Sequence, residues 1–130
     1  MQDKKDISSK EDIFQLVIAF YKEIRNDQML GPIFNNIVKD WTEHHELITS
    51  FWAKNLFGAT GYGGNPLTAH QEVDRKIAFQ MRSEHFGQWL LLWFQTIDQL
   101  YAGKNAETLK RRARKMSTFL FLKVVDARIP

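Results

Sequence analysis

Four histidines, at positions 44, 45, 70 and 85, are the chain's main metal-ligating and proton-transferring groups, and there is no cysteine. The absence of thiols excludes disulfides, thiolate nucleophiles, cysteine-bound zinc, iron–sulfur clusters and haem attached through Cys-x-x-Cys-His. A metal held by imidazoles alone needs three or four of them to converge. His44 and His45 are neighbours, so on a helix they point about 100° apart and serve one centre poorly. No His-Glu-x-x-His occurs, and together these facts argue against a zinc enzyme. A haem asks for less, namely one protein ligand and a slot lined by apolar side chains. Ten phenylalanines and four tryptophans could wall such a slot, or equally fill an aromatic core.

The elements that must position these residues read as helices. Ser9, with Asp12 three residues on, caps a stretch in which Ile13, Leu16, Val17, Phe20, Tyr21 and Ile24 recur at helical spacing. Asn26-Asp27 and Gly31-Pro32 end it, leaving Ile33 and Phe34 in a short turn or a one-turn helix. Asp40 caps a second long helix that runs to about Phe57 and stops at Gly58. His44, Ile48, Phe51 and Asn55 share one face of it. Gly58, Gly61, Gly63 and Gly64 make the next stretch a loop, and Asn65-Pro66 open a short helix carrying His70. The residues from Val73 to Ser83 show no periodic pattern. A third long helix starts near Ser83, buries Phe86, Trp89, Leu90, Trp93, Ile97 and Leu100, and is ended by Gly103. Asn105 caps a fourth, to about Val125, with Leu109, Ala113, Met116, Phe119, Leu120 and Val124 inward. No stretch alternates with period two. The expected fold is all-α, one domain over 1–130 with a flexible N-terminus over 1–8.

A net charge of +3 is too small to argue for nucleic acid. The basic run from Lys110 to Lys115 spreads around its helix and reads as a solvated face. The longest apolar run, Trp89 to Phe94, is far too short to span a bilayer, and the polar first residues carry no signal-peptide core. The expectation is a cytoplasmic protein with no nucleic-acid partner and no membrane insertion.

Six fragments then fall in a telling order: Phe20-Tyr21, Leu30-Gly31-Pro32-Ile33-Phe34, Trp41-x-x-His44, Phe51-Trp52, Tyr62-x-Gly64-x-Pro66-Leu67-x-x-His70 and Phe86-x-x-Trp89-Leu90. Over roughly Ile13 to Arg114 the chain resembles the group III truncated haemoglobins, bacterial 2-on-2 globins. The resemblance implies a 2-on-2 helical sandwich around non-covalent haem b (iron protoporphyrin IX). It implies His70 as the iron ligand, with Tyr21 and Trp89 as distal hydrogen-bond donors and His44 as the distal gate. Ile48 and Phe51 would wall the haem face, and Phe34 would stack at its edge. Arg75 and Lys76, just after His70, with Arg82 further on, are the expected cations for the haem propionates. Read without the resemblance, His70 is a surface histidine, His44 a solvated one, and Tyr21 and Trp89 are core packing.

The implied partners are dioxygen or other diatomic ligands. Nitric oxide or peroxide redox chemistry would also need a separate electron-donating reductase, since the chain carries no flavin or nicotinamide motif. Two other readings stay open at this point: a non-catalytic haem or gas sensor, and a haem-free helical binding module.

Overall fold

A computed structural model of the chain describes residues 3–58, 69–71, 74 and 81–126. Five helices are given by these residues: α1 (Lys10–Asn26), α2 (Gly31–Ile37), α3 (Trp41–Phe57), α4 (Ser83–Leu100) and α5 (Lys104–Asp126). Helix α1 packs on α2, α3 and α4, and α5 packs on α4 and α3, so two helix pairs lie against each other. No described helix is long and apolar enough to cross a membrane.

Helix α1 forms where its apolar periodicity places it. Ser9 accepts from the Asp12 backbone N–H at 3.2 Å, satisfying one orphan donor of the first turn. Ile13, Leu16, Val17, Phe20, Tyr21 and Ile24 are all buried, each aliphatic or Phe side chain contributing about 1.5–3 kcal/mol. Helix α3 also has the expected ends. Asp40 accepts from the Glu43 N–H at 3.1 Å, and Gly58 closes the helix in the left-handed conformation at φ 73°.

Helix α2 is seven residues long rather than a single turn. The cause lies across the α1–α2 corner. Asp27 accepts from the N–H groups of Met29 and Leu30 at 3.0 and 2.9 Å, and Gly31 N–H donates to the Asp27 carbonyl at 2.9 Å. A Cβ on Gly31 would stand 2.7 Å from the Arg25 carbonyl oxygen, so only glycine lets α2 start this close to α1.

Three expectations need correction. Leu100 is 38% exposed and Phe119 51% exposed, so neither belongs to the core. The position beyond Leu100 is taken by buried Tyr101, whose hydroxyl donates to the Asp12 carbonyl at 2.9 Å. On α5 the buried stripe is Leu109, Ala113, Leu120 and Val124, and Phe119 lies one residue off it. Asn105 does not cap α5. Asp6 does, accepting from the Asn105 and Ala106 N–H groups at 2.8 and 2.9 Å, while the Asn105 side chain donates to the Ile7 carbonyl at 2.7 Å. Residues 3–8, read from sequence as part of a flexible tail, are therefore fastened to α5. Ile7 is 1% exposed in the core, and the Ala102 N–H donates to the Lys5 carbonyl at 3.0 Å.

The buried side chains form two clusters. The larger joins α1, α3, α4 and the first half of α5; the smaller is Met81, Phe86, Leu120 and Val124. Buried Asp74 accepts from the Met81 N–H at 2.9 Å and so ties the segment before α4 to the smaller cluster.

Gly31→Ala should cost about 2 kcal/mol or more, because a backbone carbonyl cannot move aside as a side chain would, and a thermal melt should register it. A second test concerns Asp12. The Ser8 backbone N–H first, then the Lys5 ammonium and the Ser8 hydroxyl, hold its carboxyl down to about 2. A depressed carboxyl stabilises above its ordinary value and stops doing so as pH falls through the folded one. Wild type should therefore exceed Asp12→Asn by about 1 kcal/mol at neutral pH, a gap that closes between about pH 4 and pH 2 in denaturant melts.

Candidate functional site

A cleft of about 600 Å³ opens between the two clusters. Its walls are mostly apolar: Leu30, Ile33, Phe34 and Ile37 from α2 and the turn before it, Leu47, Ile48 and Phe51 from α3, and Met81, Phe86, Met116 and Leu120 from the other side. Tyr21, His44, Trp89 and His70 reach the same space. Ligand pockets of small molecules and cofactors typically occupy about 300–1,000 Å³, mostly apolar with a few placed polar groups, and this cleft has that make-up.

The polar groups of the larger cluster are held by ring contacts. Tyr21 is 3% exposed, with Phe20 edge-on at 5.0 Å, Phe34 tilted at 5.9 Å and His44 edge-on at 4.9 Å. Burial pushes the phenol well above its ordinary value, so it keeps its proton and stays a donor. The Nε2 of His44 is buried and has no partner among the described residues. Burial first, and then the neighbouring His45, push this imidazole down to about 4, so it is neutral at physiological pH. Trp89 meets the edge of Phe20 at 5.4 Å and stacks on Trp93 at 5.8 Å, and Trp93 stacks in turn on Trp52 at 5.2 Å. This column of three indoles fixes the Trp89 ring from behind.

His70 belongs to the other side. Residues 69–71 are helical, and the His70 ring stacks on Phe86 at 5.9 Å and 28°, with Phe121 edge-on to Phe86 at 5.4 Å. Phe86 and Trp89 are three residues apart on α4, so adjacent turns of one helix support His70 and the polar trio.

The structure thus brings Tyr21, Phe34, His44, Ile48, Phe51, His70 and Trp89 to one cavity. Arg75 and Lys76 lie outside the described residues, and Arg82 pairs with Glu84 at 3.0 Å on the surface. Five polar residues at the cavity had no place in the sequence reading of the site: Lys39, Asp40, Glu43, His85 and Ser117. Lys39 stands at its rim, its Nζ donating to the Asn36 carbonyl at 2.9 Å. His85 lines the wall while its Nδ1 accepts from the Arg82 N–H at 2.8 Å, closing the start of α4. The spacing of His85 four residues before Trp89 was a signal for it; Lys39, just ahead of a cap residue, left none.

The arrangement suits a flat, largely apolar group that takes one axial imidazole. His44, whose Nε2 is buried and unpartnered among the described residues, lines this cavity together with Tyr21. Buried polar groups normally find partners, so the His44 Nε2 marks where a ligand would supply one. A haem would suit such a cleft, with His70 an imidazole that could hold its iron and Lys39 a cation among the lining residues.

No family model matches the chain. Over 119 residues it is 31% identical to Group 3 truncated hemoglobin ctb of Campylobacter jejuni, covering 88% of this chain and 90% of that protein. The crystal structure of a group III truncated hemoglobin from Campylobacter jejuni matches with a TM-score of 0.83 at 30% identity, over 93% of this chain and 94% of the other. The 2/2 hemoglobin from Synechococcus sp. PCC 7002, in its cyanomet state with covalently attached heme, matches with a TM-score of 0.73 over 92% and 94% of the two chains. At 15% identity that second likeness concerns the fold alone. The identity to the Campylobacter jejuni protein, sustained over nearly the whole of both chains, together with the packing of α1 and α3 against α4 and α5 as a two-on-two sandwich, establishes that the chain belongs to the group III truncated haemoglobins.

Proposed function

We propose that this protein binds haem b non-covalently, with His70 as the iron ligand, and holds dioxygen or a related diatomic ligand beside Tyr21, His44 and Trp89. One observation carries the reading: His70, stacked on Phe86, and the polar trio of Tyr21, His44 and Trp89, gathered around Phe20 and Tyr21, line a single mostly apolar cleft. When bound, haem supplies an iron atom with a coordination position open to a diatomic molecule.

The protein's own groups decide what happens to that ligand. The Phe86 stack restricts the plane of the His70 ring and so the direction of its nitrogen lone pair. The Tyr21 hydroxyl keeps its proton at any physiological pH, so a residue lining the cleft remains a donor. The Trp89 indole N–H can only donate, which favours ligands that develop negative charge. His44 is neutral and has a free Nε2, so it completes the polar side without placing a full charge in an apolar space. Each donor to a charged or strongly polarised acceptor is worth about 1.5–3 kcal/mol, so two together slow ligand escape by orders of magnitude. Slow escape suits tight holding or chemistry on the held ligand better than rapid delivery. Turnover of nitric oxide or peroxide belongs to the same reading and requires an external reductase, with the cytoplasm as the expected setting.

Three outcomes test it. Purified protein supplied with haemin should show the intense haem absorption band, and His70→Ala should lose or displace it, with added imidazole restoring the wild-type spectrum; an unaltered spectrum in that variant would refute the assignment. Tyr21→Phe and Trp89→Phe should each speed dioxygen release at least about tenfold in stopped-flow measurements. Because the His44 imidazole is held down to about 4, its own charge does not change between pH 8 and pH 6, and the shape of the release-rate profile across that window should be the same in wild type and His44→Gln.

A further inference from the structure

A second cleft, of about 620 Å³, lies on the outer side of the α1–α3 wall, lined by Ile18, Lys22, Arg25, Asn35, Trp41 and His45, with Asn26 at its edge. No carboxylate is among these residues. Ile18, Lys22 and Arg25 follow one face of α1 at helical spacing. Neither Lys22 nor Arg25 forms an ion pair with any described residue.

Arg25 is positioned rather than loose. Its Nε donates to the Asn35 Oδ1 at 3.3 Å, the Asn35 amide donates back to the Arg25 carbonyl at 3.1 Å, and the guanidinium sits over the Trp41 ring at 4.5 Å. The two terminal nitrogens keep their donors unused among the described residues. The Asn26 amide is spent on the Lys22 carbonyl at 2.9 Å. Beside them the Nε2 of His45 is buried without a partner, although the sequence reads His45 as a solvated histidine.

We propose that this outer cleft is a binding site for a small anion with a planar two-oxygen head, a carboxylate or a nitrate-type oxyanion. The fork of Arg25 matches such a head through two parallel N–H donors, and Trp41 below and Asn35 beside it preset the fork's orientation, so little side-chain freedom is lost on binding. Lys22 adds a second positive charge, and the His45 Nε2 gains the partner it lacks. The site backs directly onto the first cleft. The Tyr21 ring stands 5.6 Å from Trp41, 5.7 Å from His45 and 4.9 Å from His44, so one aromatic wall separates the two spaces. The inference does not depend on the identity of the group in the first cleft.

The test is a ¹H–¹⁵N NMR titration of the protein as purified, reduced under carbon monoxide so that any haem is diamagnetic. Sodium nitrate and sodium acetate are the probes, against sodium chloride at matched ionic strength. The expected result is a saturable movement of the Arg25 Nε–H and His45 ring signals, with Kd weakened about tenfold in Arg25→Gln and less in Lys22→Gln. Saturation by acetate alone points to an organic acid, and by nitrate alone to an inorganic anion; either supports the site. Movement that does not saturate, that chloride reproduces, or that survives intact in Arg25→Gln overturns it. Should Arg25→Gln fail to fold, an unchanged Kd in Lys22→Gln, where the exposed side chain is removed without disturbing the core, overturns it equally.

Discussion

An open cleft of about 600 Å³ inside a chain of 130 residues is the constraint to which the other features answer. Protein interiors are close-packed, and every side chain that faces a void gives up the dispersion contacts it would make against a neighbour. The walls must therefore be held apart by something other than each other. Two devices do this. The first is the ring assembly around Phe20, which meets Tyr21, Trp89 and Trp93 edge-on at 4.9–5.4 Å and so braces α1 against α4 without filling the cleft. The second is the corner at Gly31, where the missing Cβ lets α2 start against the end of α1 and present Ile33 and Phe34 to the cavity. Favourable aromatic geometry adds about 0.5–1.5 kcal/mol per pair beyond area burial, which offsets part of what the void costs. A ligand that fills the space and binds only the folded state would contribute the remainder.

The helices were legible because their signals are local. The α1 stripe, the Ser9 and Asp40 caps and the Gly58 stop each depend on residues within about a turn of one another. What stayed hidden was set by distant contacts. Nothing near Asn105 reveals that its helix is capped by Asp6, ninety-nine residues away, because Asn105 itself satisfies the local rule for a cap. Phe119 failed for a related reason. It is apolar and close to helical register, but the register of burial on α5 is decided by where α4 lies, one residue to the side.

The site divides the same way. Composition and periodicity placed Ile48, Phe51 and Trp89 on inward faces, but they could not tell a core from a cleft, since both use the same residue types at the same spacing. The ordered fragments of the family resemblance were what separated the two readings. Those fragments said nothing of Lys39 or His85, which reach the cavity through the geometry of helix starts. His85 is there because its Nδ1 caps α4, a role that fixes the ring against the wall whatever occupies the cleft.

The two adjacent histidines show how one helix can serve two environments. His44 and His45 point to different sides of α3, as successive residues must. His44 faces the apolar cleft, where burial and its neighbour's charge keep it neutral. His45 faces the outer cleft, where burial, and then the Arg25 guanidinium, also disfavour its charged form. Between them stands Tyr21, in ring contact with both. A proton or anion gained on the His45 side would change the field felt by His44 and by the Tyr21 hydroxyl across a single layer of rings, where screening by water is weak. The wall that shapes the inner cleft is therefore also a route by which the outer cleft could alter its polarity.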